Sequence, residues 1–178
     1  MQHENIWAPW RMAYITQLGN CDADPAATVP SCFLCDAVAT SPGSDNARHR
    51  LVLRNDGQGT ILLNRYPYTN GHLLVAPRDH LGDLLDLSHS ARTDLIELTA
   101  IAKQLLDVAL NPQGVNIGIN LGRCAGAGLP GHVHVHVVPR WSGDTNFMQT
   151  VGSVRVIPQA LEASYTHLLA TLDQISHK

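Results

Sequence analysis

The seven residues His132-Val133-His134-Val135-His136-Val137-Val138 constrain this chain more than any other stretch, because their two-residue alternation fits an extended strand and no helix. In a strand successive side chains point to opposite faces, so His132, His134 and His136 share one face and Val133, Val135 and Val137 the other. The valine face demands a core. The imidazole face then borders a polar cleft, and imidazole is the side chain best placed near neutral pH to act as nucleophile, acid, base or ligand. Two other readings stand beside this one. A half-exposed strand simply turns its polar residues to water, and histidines two apart on a strand can chelate zinc. Catalytic zinc sites usually recruit a carboxylate or a third histidine and keep one position open for water, whereas no Asp or Glu lies beside the triplet until Asp144. The pattern favours phosphate chemistry over metal-dependent hydrolysis.

A chain of 178 residues is long enough to bury a core without covalent staples and predicts a single domain. Its 44% hydrophobic and 15% charged residues exclude disorder, and no apolar run approaches the length needed to span a bilayer. The opening Met1-Gln2-His3-Glu4-Asn5-Ile6-Trp7 has neither a basic nor an apolar leader segment, which predicts a cytoplasmic protein. A net charge of −3 argues against general binding to nucleic-acid backbones, which needs clustered cations. A small phosphorylated ligand stays open, because backbone amides and a few local groups can hold it. Of the four cysteines, Cys21 and Cys124 read as solitary small residues. Cys32 and Cys35 form a Cys-x-x-Cys pair, which in a reducing compartment means metal or redox chemistry more often than a structural bridge.

An aromatic arm with Trp7, Trp10 and Tyr14 around Pro9 occupies about residues 1–30, and Ser41-Pro42-Gly43-Ser44-Asp45-Asn46 is a turn cluster. Leu51-Val52-Leu53 and Thr60-Ile61-Leu62-Leu63 flank the Asn55-Asp56-Gly57 turn signal, as an antiparallel hairpin requires. His72-Leu73-Leu74-Val75-Ala76 and residues 114–120 are further strands. Leu95, Leu98, Ala102, Leu105, Leu106 and Ala109 recur at three- and four-residue spacing within residues 90–110, and Asn111-Pro112 stops that helix. Residues 159–175 repeat the helical spacing with Leu161, Tyr165, Leu168, Leu172 and Ile175. Neighbouring strands with helices between them predict an α+β fold, an antiparallel β-sheet meander with helices packed on one face. Between residues 122 and 131 lie four glycines, Gly122, Gly126, Gly128 and Gly131, which lead straight into the histidines. Glycine lets backbone N–H groups turn toward an anion, so this loop is either a phosphate cradle or a flexible turn.

The stretch His132 to Val138, extended by Pro139-Arg140, resembles the histidine-triad (HIT) superfamily of nucleotide hydrolases and transferases. Asn64 and Gly71-His72-Leu73-Leu74-Val75-Ala76-Pro77-Arg78-Asp79-His80 look like that family's second block. Trp7-Ala8-Pro9-Trp10-Arg11-Met12 and Trp141-Ser142-Gly143-Asp144-Thr145-Asn146-Phe147-Met148 are similar to the bacterial branch that contains diadenosine tetraphosphate phosphorylases. The resemblance implies a HIT-like fold and a nucleotidyl-histidine intermediate, with His134 as nucleophile, His136 on the leaving side, and His132 as orienting group or metal ligand. It places ribose on Asn64 and phosphate near Asn120, with the amides of Gly126, Ala127 and Gly128 stabilising phosphoryl charge. Phe33, Leu34, Ile61 and Leu63 are either a slot for the base or plain core. Many family members carry a Gln followed by Ser or Thr just before the triad, where this chain has Ala127-Gly128-Leu129-Pro130. Leaving-group stabilisation then falls to amides, to His136 or to Trp141.

The resemblance further implies a closed structural zinc site made by Cys32, Cys35, His80 and His132. It also implies a homodimer. The activity it implies is nucleotidyl transfer on dinucleoside polyphosphates, as a diadenosine tetraphosphate phosphorylase. A dinucleoside polyphosphate or nucleoside phosphoramidate hydrolase, and a nucleotide-binding regulatory protein that turns over poorly, are the alternatives.

Overall fold

In the computed structural model, which describes residues 32–144, 157 and 159–176, five strands form one antiparallel sheet. They are β1 (Val52–Asn55), β2 (Gly59–Leu63), β3 (Leu73–Pro77), β4 (Gly114–Ile119) and β5 (Val135–Arg140), in the order β1-β2-β3-β5-β4. The first three strands run as the expected meander. After that β4 takes the outer edge, and β5 returns between it and β3. The aromatic arm with Trp7, Trp10 and Tyr14, Cys21, and the segment Asn146-Phe147-Met148 lie outside the described residues.

Two long helices cover one face. Helix α3 (His89–Leu110) is capped by Ser88, whose hydroxyl accepts the Ala91 N–H, and turns Leu95, Leu98, Ala102, Leu105 and Leu106 inward. It ends where Asn111 adopts the left-handed conformation (φ 45°, ψ 56°) before Pro112. Helix α4 (Leu161–Ser176) adds Tyr165, Leu168 and Leu172 to the same core, which also holds Ile61, Leu63, Leu73, Val75, Val133, Val135 and Val137. The opposite face is not bare, as a one-sided arrangement would have it. Two short helices, α1 (Phe33–Val38) and α2 (Asp45–His49), close a second, smaller core of Leu34, Ala37, Ala47, Val52, Leu62, Leu74 and Ala76. At six and five residues they are too short to show a helical period; the first starts inside the Cys-x-x-Cys pair at Phe33, and the second starts inside the turn cluster at Asp45. Burial on both faces also explains why β2 and β3 are apolar runs without alternation.

The histidine strand begins later than its sequence pattern predicts. Its ladder starts at Val135, so His132, Val133 and His134 precede it. The register pairs Val75 with Val135, which would bring Pro77 opposite Val133, and proline has no N–H to give to a ladder. The alternation survives the loss of pairing: Val133, Val135 and Val137 are all buried in the large core. His136 lies opposite Leu74 and Gly118, so the imidazoles look out on the side of the small core.

Candidate functional site

His134 is almost wholly buried, and its Nδ1 lies 2.9 Å from the carbonyl oxygen of His132. A carbonyl only accepts, so Nδ1 carries the proton and the lone pair of neutral His134 sits on Nε2. The rings of His134 and His136 meet edge to face with centroids 5.0 Å apart.

Behind His136 stands His72, a fully buried histidine to which the sequence pattern assigned no catalytic or binding role. The Tyr68 backbone N–H donates to His72 Nδ1 at 3.2 Å, and the Asn64 side-chain amide approaches the same nitrogen at 3.2 Å. Nδ1 is therefore an acceptor, which leaves the proton of neutral His72 on Nε2, 3.0 Å from His136 Nδ1. In turn His136 carries its own proton on Nε2. Burial first, and the neighbouring His134 second, push the His136 pKa below its ordinary 6.5, which favours this neutral form. A histidine at the start of an apolar strand was the available signal, because a buried polar ring must find partners.

The first histidine has a different surrounding. His132 is fully buried, its Nε2–H donates to Pro77 O at 3.0 Å, and its Nδ1 faces Cys32 Sγ at 3.3 Å and Cys35 Sγ at 3.5 Å. His80 Nδ1 is 3.1 Å from Cys35 Sγ, and the four donor atoms lie within 4.8 Å of one another. Tetrahedral coordination by two thiolates and two imidazoles implies donor separations of roughly 3.3–3.8 Å, so these residues could bind a metal ion after small adjustments. The carbonyl partner that fixes the His132 tautomer is typical of a ligating histidine. Burial, with help from Cys32, pushes the Cys35 thiol up to about 11, an obstacle to ionisation that a bound cation removes.

Two pockets flank the histidine relay. One, about 280 Å³, is lined by Phe33, Leu62, Leu63, Asn64, Tyr66 and Leu74, with His49, Arg50 and Arg65 around them. Phe33 and Leu63 thus border a slot, whereas Leu34 and Ile61 are core. The Asn64 Oδ1 accepts the Tyr66 N–H, so this residue shapes its own turn as well as the pocket. The second pocket, about 330 Å³ and more polar, brings Asn120 together with His136, Tyr68, Thr69, Asn116 and Arg140. Arg140 grips Asp144 with Nε and Nη2 at 2.5 and 2.8 Å and gives Nη1 to Asn116 Oδ1 at 2.9 Å.

In the glycine loop, two of the three amides that the resemblance assigns to phosphate already have backbone acceptors. Gly126 N–H donates to Arg123 O and Ala127 N–H to Gly122 O, because residues 123–125 form a turn of 3₁₀-helix that consumes those donors. Gly128 is exposed. Trp141 lines neither pocket, and its backbone N–H and carbonyl close a turn onto Asp144.

The profile of the HIT domain matches residues 46–143. An AP-4-A phosphorylase of Mycobacterium tuberculosis is 37% identical over 175 residues, 96% of this chain and 84% of that protein. An asymmetrical bis(5'-nucleosyl)-tetraphosphatase of Schizosaccharomyces pombe is 38% identical over 82 residues, 46% of this chain and 44% of that protein. A zinc-bound histidine triad family protein of Mycobacterium smegmatis superposes with a TM-score of 0.64 at 29% identity, covering 83% of this chain and 96% of that one.

Proposed function

This chain belongs to the HIT domain family, and from that premise we propose that it is a diadenosine tetraphosphate phosphorylase that works through a nucleotidyl-histidine intermediate on His134. The observation that carries the proposal is the hydrogen bond from His134 Nδ1 to the His132 carbonyl, which leaves the lone pair of neutral His134 on Nε2, with the His136 ring edge to face at 5.0 Å between centroids. His134 Nε2 attacks the α-phosphorus, the bond to the bridging oxygen breaks, and ATP leaves as an anion that needs a hydrogen bond from His136 more than a full proton. A phosphate oxygen then attacks the same phosphorus, the bond to His134 breaks, and ADP is released. The apolar slot of Phe33 and Leu63 takes the base and Asn64 the ribose, which leaves the polar pocket with Asn120, Arg140 and His136 for the remaining phosphates. Gly128 stays a candidate amide donor to them; Gly126 and Ala127 do not.

The metal we assign to Cys32, Cys35, His80 and His132 is zinc, supported by the soft donor set and by the zinc-bound relative. With all four positions filled by protein, it supplies structure and no water-activating chemistry. Paired thiols available to a metal suit a reducing cytoplasm, and among the described residues no helix is long and apolar enough to cross a membrane. Strand β4, an exposed sheet edge carrying Ile117, is where a second copy would pair in a homodimer.

Incubation of the purified protein with diadenosine tetraphosphate, with and without phosphate, is the test. ADP and ATP formed only with phosphate are expected, together with loss of turnover in His134→Asn. AMP and ATP formed without phosphate would move the activity to the hydrolase reading, which the tetraphosphatase relative favours. Turnover surviving in His134→Asn would refute the intermediate.

A further inference from the structure

The segment that carries the nucleophile is not woven into the sheet. His132, Val133 and His134 precede the first ladder pair of β5, so the usual reason for a strand residue to stand still is missing at the one residue that must be aimed most accurately. Three other contacts replace the ladder. Val133 N–H donates to Leu81 O at 2.7 Å, His132 Nε2–H donates to Pro77 O at 3.0 Å, and the His132 Nδ1 edge is held among Cys32, Cys35 and His80. The chain segments involved touch closely. A Cβ on Gly82 would stand 2.5 Å from Pro130 O, and one on Gly131 would stand 3.3 Å from His80 Nε2. The link from this knot to the reacting atom is a single residue. His132 offers its ring to the cysteine cluster and its carbonyl to His134 Nδ1 at 2.9 Å.

We propose that the Cys32-Cys35-His80-His132 cluster, when metal-loaded, is a positioning device for catalysis: by fixing the His132 peptide it fixes both the orientation and the tautomer of His134. The inference rests on reading His134 as the nucleophile, and it goes further than a cluster that only stabilises the fold. His80 and His132 are positioning residues, since neither needs to touch substrate. With the cluster unloaded, the His132 ring keeps its bond to Pro77 O but loses its second anchor. Its carbonyl then wanders, and Nδ1–H of His134 no longer has a fixed acceptor. Misplacement of a reacting group by about an ångström costs on the order of 100-fold in rate, and loss of outer support around a ligand typically costs about 10- to 100-fold.

The test uses the full chain labelled with ¹⁵N-histidine, with metal content, the tautomer of His134 from two-bond ¹H–¹⁵N spectra, and steady-state kinetics read on the same preparations. The zinc-loaded protein should show His134 as a single Nδ1–H tautomer. His80→Ala should lose metal, show His134 in mixed tautomers, and lose about 10- to 100-fold in kcat with KM changed by less than about threefold. His80→Cys, which restores four donors, should recover both signals. Should His80→Ala fail to fold, the wild-type protein titrated with chelator replaces it, and the His134 signal should change in step with metal release and before the thermal or circular-dichroism signature of unfolding. The proposal is overturned by purified protein that carries no metal, by a His134 tautomer that survives metal release, or by one that changes only with global unfolding. A wild-type protein without turnover would instead sink the assigned activity, and the tautomer measurement would still decide the coupling.

Discussion

Replacing His72 by phenylalanine keeps an aromatic ring, somewhat larger than imidazole, at a fully buried position while it deletes the contacts of both ring nitrogens. The Tyr68 N–H and the Asn64 side-chain amide lose their contact with Nδ1, together a cost of about 1 kcal/mol. The bond to His136 Nδ1 is worth about another 1 kcal/mol, and what the phenyl ring returns by removing polar atoms from the core is offset by its larger volume. A net destabilisation of about 1–2 kcal/mol, read as a shift in the urea midpoint at constant slope, leaves a folded enzyme. Kinetics should respond more strongly than stability. Without the His72 donor nothing pins His136 Nδ1, so the ring is free to turn and to swap tautomers, and kcat should fall by roughly 100-fold, the lower end of what a positioned acid contributes. The double variant with His136→Asn should then be no slower than His136→Asn alone, since both act through one ring. Strictly multiplicative losses, or a His72→Phe enzyme within twofold of wild type, would refute the relay.

Further expectations concern protons and packing. Because burial and His134 hold His136 below 6.5 in the fold, the unfolded chain binds this proton first as pH drops; stability is then lost from about pH 6.5 down to the depressed value. Melting temperatures between pH 7.5 and 5 should show this loss, with His136→Asn showing less of it. Asn55→Ala removes a side-chain amide that donates to the carbonyls of Val38 at the end of α1 and of Thr40 just beyond it, and should cost about 1–3 kcal/mol in denaturant unfolding. Gly59→Ala would drive a Cβ to 2.4 Å from Ala76 O in the next strand, and should destabilise by about 1–3 kcal/mol in the same measurement.

The fold was legible in the sequence wherever a period ran long enough to repeat. Helix α3 shows five inward positions, and the β1–β2 hairpin is announced by its Asn-Asp-Gly turn. Helices α1 and α2 were hidden by their brevity, and with them the second core. In the site, the histidine alternation identified the face correctly, but it could not show that the ladder stops at Val135, because that depends on Pro77 at the end of the neighbouring strand β3, far away in sequence. His72 was missed for the same reason: its importance lies in its diagonal neighbour His136, a relation between strands that no local pattern carries. The glycine loop misled in the other direction. Glycines were present, but a 3₁₀ turn had already used two of the amides they were expected to free.

The two cores are unequal, and that has a consequence for how the molecule meets its ligand. Seven buried residues make up the small core, and the helices closing it hold few turns, so without metal on Cys32 and Cys35 residues 32–50 should open at low cost. Phe33, His49 and Arg50, which wall the apolar slot, belong to that part; Leu62, Leu63 and Leu74 opposite them belong to the sheet. A base that enters the slot therefore bridges a lightly held flap and a rigid floor. Some of its binding free energy is spent on quieting the flap, and affinity in this pocket is tuned as much by what loosens α1 and α2 as by any atom that touches the base.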